Sequence, residues 1–359
     1  MRFVPILFAL LLLAGPALAQ YDLQPVAPVV ACSDLTATDL TPIGGAGSIV
    51  TAVTETTSDG IAVCSVTGLL APQVNFQVLL PMATWTQRYL QVGCGGLCGN
   101  ISLRSGASAG CQVLNDGGFV MAATDMGHSG MGAKRGLDDA MRADFAHRAQ
   151  HITALAAKAL TQAFYGQTPA YSYFNGCSDA LRARHPQIDT TNPDLRAFQA
   201  AGGKLILWHG LADPHIAPAN TVALHRAMIA TIRADTVVGF DRLYLIPGMA
   251  HCGGGRGPTE FDLLTPMLAW VETGTVPGAI LTSTKAEVST FGQPDGGDGG
   301  HGGMPPPADL GVAPLPDMTR PVWPWSETAR YIGSGDLNVA ASWTQGPDAD
   351  FFTPYTPEN

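Results

Sequence analysis

The sequence has few basic residues and only one long apolar run, which lies at its N-terminus. Its 359 residues hold 19 Lys and Arg against 29 Asp and Glu, a formal net charge of −10. This acidic balance argues against nucleic acids and anionic membrane surfaces as partners. No later segment is apolar enough to span a bilayer, which takes about 20 apolar residues. We therefore expect neither a nucleic-acid-binding protein nor a membrane protein.

The N-terminus has the pattern of a secretory signal peptide over residues 1–19. A basic residue precedes an apolar run at 6–13, and the small residues at 17–19 form a cleavage pattern, with cleavage expected before Gln20. A membrane anchor is the alternative, but the run is shorter than the roughly 20 residues that span a bilayer. We expect a secreted or periplasmic protein whose residues 20–359 form a single domain.

Export would place the chain in an oxidising compartment, where cysteines form disulfides. Three bridges and one free thiol are the simplest interpretation of the seven cysteines, which are Cys32, Cys64, Cys94, Cys98, Cys111, Cys177 and Cys252.

The order of predicted elements indicates an α/β fold. Short β-rich runs bounded by turn residues come first, at 48–53, 62–69, 76–80, 88–92 and 119–124. Helices are then predicted over 144–165, 194–201, 220–234 and 260–273, in alternation with strands over 171–174, 204–208 and 242–246. Such alternation predicts a mostly parallel sheet with helices on both faces. A Gly-, Pro- and Asp-rich insert at 293–316 is interpreted as a mobile surface loop.

Ser178 is the candidate nucleophile. It follows the predicted strand 171–174 and precedes a predicted helix, which is the context of a nucleophile elbow. This sharp turn tolerates only small residues two positions to either side; Gly176 fits, and Ala180 replaces the usual second glycine. The alternative interpretation is an ordinary turn serine.

Two cysteines adjoin candidate reactive residues, in the dipeptides Cys177-Ser178 and His251-Cys252. If the two cysteines are joined, the disulfide holds their Cα atoms about 4.4 to 6.8 Å apart. Ser178 and His251 would then lie at the separation where an imidazole takes a hydroxyl proton. This pattern favours nucleophilic catalysis.

A candidate acid and a candidate base follow Ser178 in the order found in α/β-hydrolases. Asp213 lies just past the strand 204–208, and His251 lies just past the strand 242–246. Asp213 would orient the imidazole and stabilise its protonated form, while His251 activates Ser178. The alternative for Asp213 is a turn-capping aspartate.

Acyl transfer also needs N–H donors for the developing oxyanion. The backbone N–H of Asp179 is one candidate, and those of Gly95 and Gly96, in the Gly-rich loop after strand 88–92, are the others. A phosphate-cradling loop is the alternative for this segment, but no Lys-Ser/Thr pair follows it.

The histidines and acidic clusters do not predict a metal site, and we expect no metal and no cofactor. His147 and His151 have i, i+4 spacing but lack the glutamate of a zinc protease between them. The acidic pair at 138–139 and the segment 125–128 have no recognisable ligand spacing. His301, in the Gly-rich insert, is interpreted as a solvated side chain.

The segments around Ser178, Asp213 and His251 resemble the tannase and feruloyl esterase family of secreted α/β-hydrolases, in which a disulfide joins the neighbours of the catalytic serine and histidine. Further stretches that match are 88–99, 123–128, 171–178, 202–214 and 330–336.

The resemblance implies a catalytic triad of these three residues and two bridges, Cys177 with Cys252 beside the triad and Cys32 with Cys64 near the N-terminus. Cys98 with Cys111 would be a third bridge, with Cys94 and Cys111 as the alternative pair.

One departure from the family concerns its lid domain, which lies between nucleophile and acid, covers the pocket, selects the acyl group and holds calcium. Here only the 34 residues of 179–212 separate Ser178 from Asp213. We therefore expect the lid domain to be absent and the pocket to be shallow, and strand 204–208 has room to pair directly with the nucleophile strand.

The resemblance implies a secreted ester hydrolase for small aromatic esters of the feruloyl or galloyl type, with broad or weakened specificity. Terephthalate monoesters are an alternative substrate class. A non-catalytic secreted binding or relic protein of the same fold is the alternative function.

Overall fold

The computed structural model of the protein describes residues 23–93, 98–104, 106–108, 110–130, 138–176, 192–251, 253–284, 315–349 and 352. Several predicted features lie outside these ranges: the signal peptide at 1–19, most of the insert at 293–316 including His301, and Cys94, Gly95, Gly96, Cys177, Ser178, Asp179 and Cys252.

Strands follow one another in the first part of the described chain, and strands and helices alternate after it. The strands are β1 (Ile49–Ser58), β2 (Ile61–Leu70), β3 (Val74–Pro81), β4 (Arg88–Val92), β5 (Phe119–Thr124), β6 (Tyr171–Asn175), β7 (Leu205–Gly210), β8 (Asp241–Ile246), β9 (Glu260–Phe261), β10 (Ile280–Ser283), β11 (Thr319–Val322), β12 (Ala329–Tyr331) and β13 (Trp343–Gln345). The α-helices are α1 (Thr41–Gly44), α2 (Gln112–Asn115), α3 (Asp139–Ala143), α4 (Ala149–Tyr165), α5 (Arg196–Ala200), α6 (Pro218–Ile232), α7 (Ala234–Val237) and α8 (Leu264–Thr273). A π-helical turn at Asp144–Arg148 leads into α4, and 3-10 turns lie at Cys32–Ala37 and Ala340–Ser342.

The main sheet has six strands in the order β1-β2-β3-β5-β4-β6. Strands β1, β2, β3 and β5 pair antiparallel, whereas β4 pairs parallel with both β5 and β6. The crossover from β5 to β6 contains α4, as a parallel connection on one face requires. The predicted α/β class is therefore confirmed, with the parallel part of this sheet at the strands that precede the candidate loops.

Helices cover both faces of this sheet, as predicted. Alternate residues of β5 point to opposite sides because side chains alternate along a strand. Val120 and Ala122 belong to a core with α4, and Phe119, Met121 and Ala123 belong to a second core with α8. All six residues of β5 are buried, which explains why its sequence is continuously apolar from Phe119 to Ala123 and does not alternate with polar residues.

A second parallel pair carries the later candidate residues. β7 pairs parallel with β8, and among the described strands neither pairs with β6. The direct pairing with the candidate nucleophile strand, for which the sequence left room, is not seen among the described strands. Tyr244 and Ile246 of β8 share a core with Ala107 and Leu263 and with residues of β10 and β11.

Most predicted elements lie within a few residues of the observed ones, and β4 and β5 match their predictions residue for residue. The helix predicted over 260–273 is wrong at its start: Glu260 and Phe261 pair with β10, and the helix begins at Leu264. The carboxylate of Asp262 stops the strand there, because its Oδ1 accepts hydrogen bonds from the N–H groups of Leu264 and Thr265 at 2.9 and 3.1 Å.

The helix predicted over 220–234 begins earlier and is broken in two. Pro218 occupies the first position of α6, where its missing N–H has no helical partner to lose. Arg233, with a φ of 106°, separates α6 from α7.

The cysteines differ in part from expectation. Cys32 and Cys64 form the expected bridge, with an S–S distance of 2.06 Å. Cys98 is disulfide-bonded, but Cys111 is a fully buried free thiol. Both pairings suggested for Cys111 are therefore wrong; its apolar surroundings hold the thiol as a small core residue and raise its pKa to about 12.

No helix among the described residues has the length and apolar character needed to cross a membrane.

A buried ion pair ties α8 to the main sheet. Arg88 of β4 donates from Nε and Nη2 to the Glu272 carboxylate of α8 at 2.7 Å each, and Tyr173 of β6 donates to the same carboxylate at 2.8 Å. Both charged side chains are almost fully buried. The network joins α8 to the two strands that lead to the candidate oxyanion loop and nucleophile.

We predict that Glu272→Leu lowers the free energy of unfolding by about 3 to 5 kcal/mol, because it leaves the Arg88 guanidinium buried without its counter-charge. Asp235→Leu is the matched control: its pair with Arg233 is solvent-exposed, and its loss costs at most about 1 kcal/mol. Urea denaturation of the two variants and wild type checks this. Equal losses in both would contradict the assigned role of the buried pair.

Candidate active site

The ends of β7 and β8 are packed tightly together, and this packing positions both candidate residues. A Cβ at Gly210 would collide with the backbone oxygens of Met249 and Ala250, so only glycine permits this approach. The N–H of Leu211 donates to Ile246 O and that of Ala212 to Met249 O, both at 2.9 Å. The two loops therefore leave the strands side by side.

Asp213 and His251 meet at the end of these loops. His251 Nδ1 lies 2.8 Å from Asp213 Oδ2, within hydrogen-bond distance. The Asp213 side chain is 3% exposed and that of His251 is 24% exposed. The 34 residues between Ser178 and Asp213 are compatible with this contact, and the His251 ring retains access to solvent.

Asp213 also has the hydrogen bonds of a turn-capping aspartate, the alternative interpretation from sequence. Its Oδ1 accepts from the backbone N–H groups of His215 and Ile216 at 2.8 and 3.0 Å. Burial raises the pKa of this carboxyl, but the hydrogen bonds from Ile216, His215 and His251 lower it by more, to about 2. One oxygen holds the loop and the other contacts the imidazole, so the two interpretations describe a single side chain.

The ionised carboxylate determines which tautomer His251 adopts. Because a carboxylate only accepts hydrogen bonds, the neutral imidazole carries its proton on Nδ1. Its Nε2 then has the lone pair that accepts a proton from a nucleophile. The pair has the geometry of an acid and a base in hydroxyl-dependent acyl transfer.

The strands that precede the predicted nucleophile and oxyanion loop end together at one edge of the main sheet. Val92 of β4 pairs with Asn175 of β6, and the N–H of Gly93 donates to Asn175 O at 2.7 Å. A Cβ at Gly93 would lie 3.2 Å from Gly176 Cα, so the segments that follow β4 and β6 leave the sheet in close contact. The predicted residues Gly95, Gly96, Ser178 and Asp179 follow these ends, outside the described residues.

One segment of the chain connects the nucleophile strand to the base loop. The side-chain amide of Asn175, three residues before Ser178, donates to Ser108 Oγ at 3.3 Å. The adjacent Ala107 shares a hydrophobic core with Met249, two residues before His251. The described neighbours of Ser178 and His251 therefore converge on residues 107–108.

Two histidines beside the acid and base received no role from the sequence. His209 Nε2 lies 3.1 Å from Asp213 Oδ2 and 3.0 Å from Ile216 O. The exposed ring of His215 packs perpendicular to that of His251, with 5.3 Å between centroids. The sequence places His209 four residues before Asp213, but this spacing alone does not indicate a contact at the end of a strand.

Two acidic residues considered for metal binding have structural roles. The carboxylate of Asp125 accepts hydrogen bonds from Asn75 and from the N–H of Gly127, which organises the turn after β5. Asp138 caps α3 by accepting from the N–H of Met141. Within the described ranges no group of three or more His, Cys, Asp or Glu side chains has the proximity to hold a metal ion.

Comparisons with known proteins agree with the sequence resemblance. The model of the family described as tannase and feruloyl esterase matches residues 58–184 and 179–345. The mono(2-hydroxyethyl) terephthalate hydrolase of Piscinibacter sakaiensis is 38% identical over 152 residues, which cover 42% of this chain and 21% of that protein. The tannase of Aspergillus oryzae is 36% identical over 104 residues, 26% of this chain and 18% of that one. The matches span about a fifth of these two relatives.

Solved structures share the fold. Feruloyl esterase B from Aspergillus oryzae superposes with a TM-score of 0.68 at 16% identity, and the match covers 88% of this chain and 100% of that one. Tannin acyl hydrolase from Aspergillus niger gives a TM-score of 0.57 at 14% identity over 90% and 97% of the two chains. The α/β-hydrolase-like fold expected from the sequence is confirmed.

The lowered pKa of Asp213 predicts how stability depends on pH. With a folded pKa of about 2 against an ordinary 3.8, the carboxylate contributes about 2 kcal/mol above pH 4, and this is lost as pH falls from about 4 to about 2. Asp213→Asn should therefore be less stable than wild type at pH 5, and the difference should shrink by pH 2.5. Denaturant unfolding of both proteins across this range measures it; a difference independent of pH would show that the native carboxylate is not held ionised.

Proposed function

The chain belongs to the tannase and feruloyl esterase family, and on this premise we propose that it is a carboxylic ester hydrolase that cleaves small aromatic esters through Ser178, His251 and Asp213. The observation that carries the proposal is the contact of 2.8 Å between His251 Nδ1 and Asp213 Oδ2. A relic protein that had lost its activity would have no need to keep this pair aligned, with the acid buried and the base accessible.

In the proposed mechanism, His251 Nε2 takes the proton of Ser178 Oγ while that oxygen attacks the ester carbonyl carbon. The backbone N–H groups of Asp179, Gly95 and Gly96 stabilise the negative charge that develops on the carbonyl oxygen. The tetrahedral intermediate collapses, the carbon–oxygen bond to the alcohol breaks, and His251 protonates the departing alcohol. Water then repeats the sequence on the acyl-enzyme, which releases the acid and restores Ser178.

Asp213 stabilises the protonated imidazole in this mechanism. Its carboxylate remains ionised at neutral pH because its pKa is about 2. The backbone N–H groups on Oδ1 hold it in place while Oδ2 faces His251. The carboxylate thus acts as a fixed counter-charge and does not take up the proton itself.

The proposed substrates are esters of feruloyl or galloyl type, and the chain is proposed to act after export from the cytoplasm. Relatives that are named feruloyl esterase or tannase support this substrate class. A second candidate class is terephthalate monoesters, which the relative from Piscinibacter sakaiensis favours at 38% identity. All of these candidates are esters of aromatic carboxylic acids: the ring is bonded directly to the ester carbonyl in galloyl and terephthalate esters and through a vinylene group in feruloyl esters.

We predict that wild type hydrolyses p-nitrophenyl acetate and methyl ferulate, and that Ser178→Ala abolishes both activities because it removes the nucleophile. Ser172→Ala is the matched control, since Ser172 is an exposed serine on β6, six residues earlier. Assays of ester cleavage with methyl ferulate, methyl gallate and mono(2-hydroxyethyl) terephthalate in parallel rank the substrate classes. Equal background rates for wild type and Ser178→Ala would refute the proposed function.

A second prediction concerns the proposed bridge between Cys177 and Cys252. The paired change Cys177→Ser with Cys252→Ser should lower kcat strongly in protein that remains folded, because the bridge is proposed to hold Ser178 against His251. The matched control, Cys32→Ser with Cys64→Ser, removes a bridge near the N-terminus and should cost about 2 to 4 kcal/mol of stability with little change in kcat. Unfolding curves and kcat are measured for both; an unchanged kcat in the first pair would exclude a positioning role.

A further inference from the structure

We infer that His209 is a positioning residue for Asp213, a role that rests on the proposed function. His209 is the penultimate residue of β7, and its side chain is 10% exposed. Its imidazole contacts Oδ2 of the Asp213 carboxylate, whereas the backbone N–H groups of His215 and Ile216 contact Oδ1.

The neighbours of His209 Nε2 determine its protonation. Asp213 Oδ2 lies at 3.1 Å and the carbonyl oxygen of Ile216 at 3.0 Å. Both are acceptors only, so Nε2 must carry a proton to avoid repulsion between lone pairs. His209 therefore donates one N–H that is shared between the carboxylate and the loop that follows it.

The other ring nitrogen anchors the imidazole. His209 Nδ1 lies 2.6 Å from Thr221 Oγ1, in the first turns of α6. This contact fixes the rotation of the ring, so that Nε2 points at the acid loop. A single side chain thus connects the end of β7, the loop at 213–216 and the start of α6.

His209 and His251 act on the same oxygen of the acid. Asp213 Oδ2 lies 2.8 Å from His251 Nδ1 and 3.1 Å from His209 Nε2, while Oδ1 accepts the two backbone N–H groups. With two donors on each oxygen, rotation of the carboxylate would break several hydrogen bonds at once. Without His209, Asp213 Oδ2 has only the hydrogen bond from His251. The carboxylate can then rotate, and the His251 imidazole no longer has a fixed partner.

The test uses substitutions that separate the loss of the hydrogen-bond donor from the loss of side-chain volume. His209→Leu removes the donor but retains much of the volume, whereas His209→Gln restores an N–H donor near the position of Nε2. His151→Gln, at an exposed histidine of α4, is the matched control.

We expect His209→Leu to lower kcat about 10- to 100-fold, the size of effect of a hydrogen bond to a charged group, with little change in KM. His209→Gln should recover most of the loss, and His151→Gln should equal wild type. In an Asp213→Asn background, His209→Leu should change kcat by less than roughly 3-fold, because residues that act through one another are not additive. Should His209→Leu fail to fold, Thr221→Val tests the same point by releasing the ring, with an expected loss in kcat of about 3- to 10-fold.

A spectroscopic measurement separates this inference from the proposed function. In protein labelled with ¹⁵N-histidine, the ring proton of His209 should be found on Nε2 and that of His251 on Nδ1. The His251 Nδ1–H resonance should broaden or disappear in His209→Leu and persist in His209→Gln. A wild-type protein without esterase activity refutes the proposed function. In that case the His251 resonance still tests whether His209 holds the Asp213 carboxylate in place. An unchanged resonance in His209→Leu, or an active wild type whose kcat survives His209→Leu, would overturn the role of His209.

Discussion

The close approach between the end of β7 and the loop after β8 is the constraint on which the candidate site depends. Gly210 lets its backbone lie against the carbonyl groups of Met249 and Ala250, and two backbone hydrogen bonds then lock the loops together. Adjacent parallel strands end at the same edge of a sheet, and their loops meet there without a long excursion. The distance from Asp213 to His251 therefore follows from strand pairing and from one missing side chain.

In the main sheet, too, adjacent parallel strands end at the same edge. β4 and β6 end beside each other, and the chain that follows each of them contains the residues proposed for the oxyanion and the nucleophile. The Arg88 and Glu272 pair anchors α8 beneath these strands, while residues 107–108 connect Asn175 to the core around Met249. Residues 107–108 thus contact both separately paired sets of strands, one of which carries the proposed acid and base while the other leads to the proposed nucleophile.

The acid illustrates how one side chain serves structure and chemistry. Its Oδ1 closes the turn at 213–216, and its Oδ2 faces two imidazoles. The hydrogen bonds that order the loop also lower the pKa of the carboxyl, so the charge that a protonated His251 needs is already present at neutral pH. The 34-residue connection between the proposed nucleophile and the proposed acid is compatible with this arrangement, because Asp213 and the N–H groups of its own loop supply the hydrogen bonds that order the turn.

The order of elements, the α/β class and the choice of Asp213 and His251 as candidate acid and base can all be inferred from the sequence. Apolar runs and turn residues are local signals, and the buried strands β4 and β5 could be predicted to the residue for that reason. Three other features depend on the folded chain: Cys111 is a buried free thiol, α8 begins after Asp262, and His209 lies against Asp213. Disulfide partners and shared hydrogen-bond acceptors depend on which distant segments the fold brings together. Local sequence patterns do not predict these contacts, because they reflect only neighbouring residues.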